Sequence, residues 1–118
     1  VTNGAYGFGG SGTLTLSSTT WDVASGLTNS VSAALAGTTG LTKTGGGVLS
    51  LTETNKTYNG GTVINGGAIQ ITNAVGGSLG ASNSAPLTLD GGALYTQFAA
   101  NTTLNYAITV SAGGGELR

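Results

Sequence analysis

The sequence contains no cysteine, no histidine and no methionine among its 118 residues. Without histidine the chain cannot form a Ser-His-Asp triad, and without cysteine or histidine it lacks the usual ligands of a zinc site. Disulfides, which often compensate for the thin core of a small secreted domain, are also excluded. Stability must therefore come from backbone pairing and apolar packing.

Charge is almost as scarce, with three Lys or Arg, four Asp or Glu, and a formal net charge of -1. This balance offers no electrostatic basis for binding nucleic acid or an anionic membrane. The acids Asp22, Glu53, Asp90 and Glu116 fall at different phases of the repeat described below, unlike the paired carboxylates of a glycosidase. No apolar run approaches the ~20 residues that span a bilayer. We expect no catalytic, cofactor or metal site, and no membrane insertion by this segment.

Glycine, by contrast, accounts for 23 residues, and short alternating stretches separate the glycine clusters. Val48–Thr52 and Ala68–Thr72 alternate apolar and polar side chains. A period of two is typical of a half-buried β-strand. Disordered Gly-rich chains lack such regular alternation, so the pattern predicts an all-β fold.

A long-range repeat indicates how these strands are arranged. Ile64 corresponds to Leu89 in the next unit, and Leu89 corresponds to Val110 in the one after it. Both intervals lie in the range of about 20–25 residues that forms one turn of a β-solenoid. Asn65-Gly66 by itself favours a hairpin, but the phase follows the long period. We therefore predict a single solenoid segment over residues 1–118, with about five coils.

The residues from Gly40 to Ile71, GLTKTGGGVLSLTETNKTYNGGTVINGGAIQI, carry a resemblance to a known family. This stretch resembles the passenger-associated transport repeat of bacterial type V autotransporter passengers. It departs from that pattern at Lys56, which is inserted between Asn55 and Thr57. The resemblance implies a right-handed, single-stranded parallel β-helix that is exported to the cell surface, and the repeat is not a catalytic motif.

Two sets of residues follow from this prediction. Glycines with positive φ are expected at the structural corners, which are Gly46, Gly47, Gly60, Gly61, Gly66, Gly67, Gly91 and Gly92. Inward-facing side chains are expected to form the core, which comprises Leu14, Leu16, Leu49, Leu51, Ile64, Ile69, Ile71, Leu87, Leu89, Leu94, Ile108, Val110 and Leu117.

Two polar or aromatic residues have competing interpretations. Trp21 could stack on a sugar ring or fill the core, and the absence of a second readable exposed aromatic nearby favours the core. Asp90 precedes Gly91-Gly92 as Asn65 precedes Gly66-Gly67, and we expect its side chain to bond nearby backbone at the turn.

Three functions remain open. The first is a structural stalk, scaffold or adhesin shaft within a longer autotransporter-type passenger, outside the cell or on its surface. The second is a subunit of an extracellular filament that forms by head-to-tail stacking. The third, less favoured, is a polysaccharide-binding or polysaccharide-degrading β-helix. We expect partners at the open β-edges, either another copy or neighbouring coils of the parent chain. Neither a surface ligand nor a carbohydrate ligand can be identified.

Overall fold

The structure is a computed structural model and describes residues 7–17, 19–72, 78–81, 86–97, 104 and 106–118. These residues form thirteen short strands and contain no helix, so none of their elements is a candidate helical membrane span. The strands are β1 (Gly7–Phe8), β2 (Thr13–Thr15), β3 (Thr19–Asp22), β4 (Thr28–Val31), β5 (Ala34–Ala36), β6 (Leu41–Thr44), β7 (Val48–Leu51), β8 (Thr62–Ile64), β9 (Ala68–Ile71), β10 (Leu87–Leu89), β11 (Ala93–Thr96), β12 (Ile108–Val110) and β13 (Glu116–Leu117).

The strands assemble into three sheets, and every described strand pair is parallel. The largest sheet has the order β1-β4-β7-β9-β11-β13. The second has the order β12-β10-β8-β6-β3, and the third pairs β2 with β5. An isolated parallel bridge between Leu35 and Lys56 extends the third sheet by one coil. Consecutive strands of the chain therefore lie in different sheets, as a solenoid requires.

The register shows how the chain returns to the same sheet after each turn. In the largest sheet Val48 pairs with Thr28 on one side and with Ala68 on the other, so the two steps are equal in length. Ala68 in turn pairs with Ala93, and this step is longer than the two before it. The structure confirms the right-handed parallel β-helix, with about four turns where about five coils were expected.

Alternation along each strand fills the interior with rows of side chains that stack from coil to coil. One row runs through Leu49, Ile69 and Leu94, all fully buried. Leu16, Leu51, Ile64, Ile71, Leu87 and Leu89 are also buried. Burial of a side chain of this size contributes about 1.5–3 kcal/mol. These rows supply the apolar core that the chain obtains in place of disulfides.

Four residues expected in the core are exposed because they lie on the outer described coils. Val110 pairs with buried Leu89, yet 59% of its surface is exposed, and Leu117 pairs with buried Leu94 but is 54% exposed. Leu14 and Ile108 are 38% exposed. The pairing gives these side chains the inward phase of their partners, but no described coil covers them.

The corner glycines have two different physical roles. Of the eight expected, Gly61, Gly67 and Gly91 have positive φ, and the other five do not. Gly47 and Gly92 illustrate the second role, because an added Cβ would collide with Ala24 O and with the Ile64 side chain, respectively. At these positions glycine allows successive coils to approach closely. The expectation that all eight supply positive φ is corrected accordingly.

The inward and outward directions assigned to neighbouring side chains of β9 can be tested by introducing an aspartate at each of two positions. Ile69 is fully buried, whereas Gln70 is partly exposed and pairs with Ser50 on one side and with Tyr95 on the other. Ile69→Asp is expected to lower the free energy of unfolding by more than about 3 kcal/mol, because it buries an unpaired carboxylate and loses apolar packing. Gln70→Asp should change it by less than about 1 kcal/mol. Urea denaturation followed by circular dichroism measures both, and equal losses would contradict the assigned facing.

Candidate functional site

The four acids lie at separate positions of the solenoid. Asp22 ends β3, where its Oδ1 accepts a hydrogen bond of 2.8 Å from Thr44 Oγ1 on the next coil. Glu53 is exposed after β7. Glu116 pairs with Arg118 at an Oε1–Nε distance of 2.6 Å on the surface. The described residues contain no group of three or more acidic, His or Cys side chains that could hold a metal ion.

Asp90 has a role that differs from the expected one. Its Oδ1 accepts a hydrogen bond of 2.8 Å from the Gly113 N–H, which belongs to the next coil. The side chain therefore links two stacked corners and does not close its own turn. Sequence alone could not distinguish these roles, because both use an Asp before a glycine pair.

Two aromatic residues have different surroundings, because Trp21 lies in the interior of the solenoid and Tyr95 lies on its outer face. Trp21 is buried and meets Phe8 edge to face, with ring centroids 5.4 Å apart. Its role is therefore in the core, as the sequence favoured. Tyr95 lies on the outer face beside a groove lined by Gly91, Gly92 and Gly115, and Arg118 covers its ring at 5.1 Å from the centroid.

The feature most distinctive of this interior is a fully buried lysine, Lys43. It occupies a place in the second sheet between Trp21 and Ile64, in a row that is otherwise apolar. Its Nζ donates to the carbonyl oxygens of Thr44, at 2.5 Å, and Gly45, at 2.9 Å, with a longer contact to Gly66 O at 3.3 Å. The ammonium is thus satisfied by backbone of two successive corners, so the side chain ties these corners together.

A second lysine, Lys56, is buried in the third sheet. It pairs with Leu35, the residue that itself pairs with Leu14, so a lysine stands where the other coils carry leucine. Its Nζ donates to Asn55 Oδ1 at 2.6 Å. The residue that departs from the family pattern is therefore directed into the solenoid and is not an exposed turn residue.

Burial alters the protonation of both lysines. It lowers the pKa of Lys43 below its ordinary value, although the Asp22 carboxylate acts in the opposite direction. Burial also lowers the pKa of Lys56 to about 8, against the opposing effect of Glu53. Removing an ammonium from water disfavours its charged form, which explains the common direction.

The hydroxyl groups of Tyr58, Thr62 and Tyr106 form buried hydrogen bonds inside the solenoid. The Tyr58 hydroxyl lies 2.6 Å from Thr62 Oγ1, and burial is the main cause that raises the pKa of Tyr58. The Tyr106 hydroxyl accepts from the Leu79 N–H and donates to Gly80 O, both at 3.0 Å. Tyr106 thus supplies polar partners for buried backbone, while Tyr58 bonds the side chain of Thr62.

The buried lysines were not included among the expected core residues, although a sequence signal for one exists. In Leu41–Thr44 the alternation that places Leu41 inward places Lys43 inward as well. Lys43 also shares the repeat phase of Ile64 and Leu89. A lysine side chain is usually exposed. Lys43 can be buried because backbone carbonyl oxygens at the corner accept hydrogen bonds from its ammonium group.

The lowered pKa of Lys56 leads to a defined pH dependence. Between pH about 8 and the unfolded value near 10.4, the unfolded chain binds more protons than the folded one. Stability should therefore rise with pH through this window, and we expect a gain of about 1–2 kcal/mol between pH 7 and pH 9.5. Chemical denaturation at a series of pH values measures the gain.

The control for this prediction is Lys56→Met, which replaces the ammonium with an apolar side chain of similar length. This variant should gain less stability over the same pH range. Because burial also lowers the pKa of Lys43, the double variant with Lys43→Met should show the flattest profile. A wild-type protein whose stability falls between pH 7 and pH 9.5 would contradict the assignment.

Comparison with known proteins gives one match. Residues 41–71 match the family model of the passenger-associated-transport-repeat. No curated protein and no solved structure gives a significant match. The matched range contains β6 and β8, which stack in one sheet, and β7 and β9, which stack in another. The chain therefore carries a passenger-associated transport repeat at residues 41–71, which spans one full turn of the solenoid and the start of the next.

Proposed function

We propose that this chain is a structural segment of an exported, surface-exposed autotransporter-type passenger, in which it acts as a stalk or scaffold. The observation that carries the proposal is the coincidence of the matched repeat with a repeating coil. Within residues 41–71, Leu41 pairs with Thr62 and Val48 pairs with Ala68. The repeat thus contains the surfaces needed to stack one coil on the next, which is the property of an extendable shaft.

The scarcity of charge supports a mechanical role. Two of the three basic residues, Lys43 and Lys56, are buried and hydrogen-bonded inside the coils. The described acids are separated and engaged mainly in structural contacts, such as those of Asp22 and Asp90. An adhesin shaft is a narrower form of the same proposal and would require a ligand-binding part in the same passenger. We do not propose polysaccharide degradation, because no described arrangement favours it.

A whole-coil deletion tests the stalk proposal. Removing Leu41–Gly61 joins Gly40 to Thr62, the residue that pairs with Leu41 in the next coil. Because the junction preserves the strand register, the shortened chain should fold, and an N-terminal epitope should still reach the cell surface when the chain is fused to an autotransporter translocator domain. Surface labelling of intact cells with an antibody measures display.

The matched control removes only Leu41–Leu51, which is about half of a coil. This deletion removes β6 and β7 but keeps the segment around Lys56, which pairs with β5 in the third sheet. Two segments of the same sheet then follow each other without the strands of the other two sheets between them, so the coil cannot stack in register, and display and protease resistance should be lost. If the two deletions damaged display equally, the segment would not be acting as a modular shaft.

A second candidate function, a subunit of a head-to-tail filament, is favoured by one observation. The outermost described coil exposes Val110 and Leu117, although their paired residues Leu89 and Leu94 are fully buried or nearly so. Another copy with the same parallel register could cover this row. Heterologous stacking of this kind does not close and therefore builds a filament.

The filament candidate predicts concentration-dependent association of the purified chain. Val110→Lys should weaken association at least several-fold because it places a charge in the stacking row. Thr109→Lys, one residue away on the exposed outer side of β12, should have little effect. Light scattering over a range of concentrations measures both, and a monomer at every concentration would argue for a stalk within one longer chain.

A further inference from the structure

The corner between β8 and β9 contains an Asn-Gly pair, Asn65-Gly66. Asn65 is exposed, and its side-chain amide makes no hydrogen bond to a described residue. The N–H of Gly66 likewise has no described acceptor, whereas the Gly66 carbonyl oxygen accepts from Lys43 Nζ. The two groups that can react with each other are therefore not engaged elsewhere among the described residues.

We propose that Asn65 is a site of spontaneous deamidation through a cyclic imide formed with Gly66. The Gly66 backbone nitrogen loses its proton and attacks Asn65 Cγ, so that an N–Cγ bond forms, the Cγ–Nδ2 bond breaks and ammonia leaves. Solvent water then opens the ring at either carbonyl carbon, which yields aspartate or isoaspartate. Glycine favours this reaction because it has no Cβ to obstruct the approach.

The second described Asn-Gly pair, Asn59-Gly60, provides a contrast within the same chain. The Asn59 N–H donates to Gly37 O at 3.1 Å, and the Gly60 N–H donates to Thr39 O at 3.3 Å. Gly60 also packs so closely on the preceding coil that an added Cβ would collide with Gly40 N. Attack by the Gly60 nitrogen would have to break an inter-coil hydrogen bond, so this pair should react more slowly.

The next coil indicates that the corner accommodates the aspartate product. Ile64 pairs with Leu89, so Asn65 and Asp90 follow equivalent strand positions. Asp90 carries a carboxylate there, which is partnered by the Gly113 N–H. Deamidation of Asn65 would thus make two successive corners chemically alike.

The two products should differ in their effect on the fold. The Asn65 N–H donates to Lys43 O at 2.9 Å, and the Gly66 carbonyl accepts from the Lys43 ammonium. Aspartate at position 65 adds a negative charge to the corner that holds this buried cation, which is a favourable addition. Isoaspartate instead inserts a methylene into the main chain and displaces the corner from the register of its neighbours.

Tandem mass spectrometry of the intact folded protein tests the proposal. The protein is incubated at mildly alkaline pH in water enriched in oxygen-18, so that deamidation during the incubation adds a heavy oxygen atom at the reacting residue. Asn65 should convert several-fold faster than Asn59 in the folded protein. In concentrated urea, where both pairs lose their tertiary contacts, the two rates should become similar.

Gly66→Ala provides a variant control, because Gly66 does not have positive φ and an added Cβ would lie 3.2 Å from Gly45 O. This variant should slow conversion of Asn65 several-fold and leave Asn59 unchanged, with circular dichroism verifying its fold. If Gly66→Ala fails to fold, the comparison of Asn65 with Asn59 in the wild-type protein still decides. Conversion of Asn59 at the same rate as Asn65, or faster, in the folded protein would overturn the proposal.

Discussion

The parallel hydrogen-bond ladder between coils is the interaction on which the rest of the structure depends. Each coil must bring its strands back into register with the one below, although the step from Ala68 to Ala93 is longer than that from Val48 to Ala68. The additional residues are absorbed between strands, so that the paired strands keep their alignment. Since every coil forms the same kind of backbone bonds, stability accumulates from neighbour to neighbour and does not require a bulky central core.

Close approach at the corners follows from this ladder. Successive coils are separated by the spacing of paired strands, about 4.8 Å, which leaves little space where the chain turns. Gly47 and Gly92 occupy places where a side chain would overlap the coil below, while Gly67 also requires a left-handed backbone. The glycines at these corners are therefore a steric consequence of stacking and not a sign of a flexible linker.

The stacking of successive corners also explains how a lysine can be buried in this fold. Parallel coils bring carbonyl groups of successive corners close together, and the ammonium of Lys43 uses two carbonyls of its own corner and one of the next. Burial of a charge is costly unless it is paired or hydrogen-bonded, so the cost is offset by these acceptors. Lys56 has a single described acceptor, Asn55 Oδ1, and burial lowers its pKa to about 8.

The alternation and the long period by themselves determined the fold class, the parallel arrangement and most of the apolar interior. Leu49, Ile69 and Leu94 could be assigned inward because period-two alternation and the coil repeat agree at these positions. Only the tertiary structure decided which glycines have positive φ and which allow two coils to approach closely, because the close approach depends on the position of the coil below. It also decided the partners of Lys43 and Asp90, since both bond to a residue of the neighbouring coil and Lys43 bonds to adjacent residues as well. Such contacts depend on how corners stack in space, which a local sequence pattern does not contain.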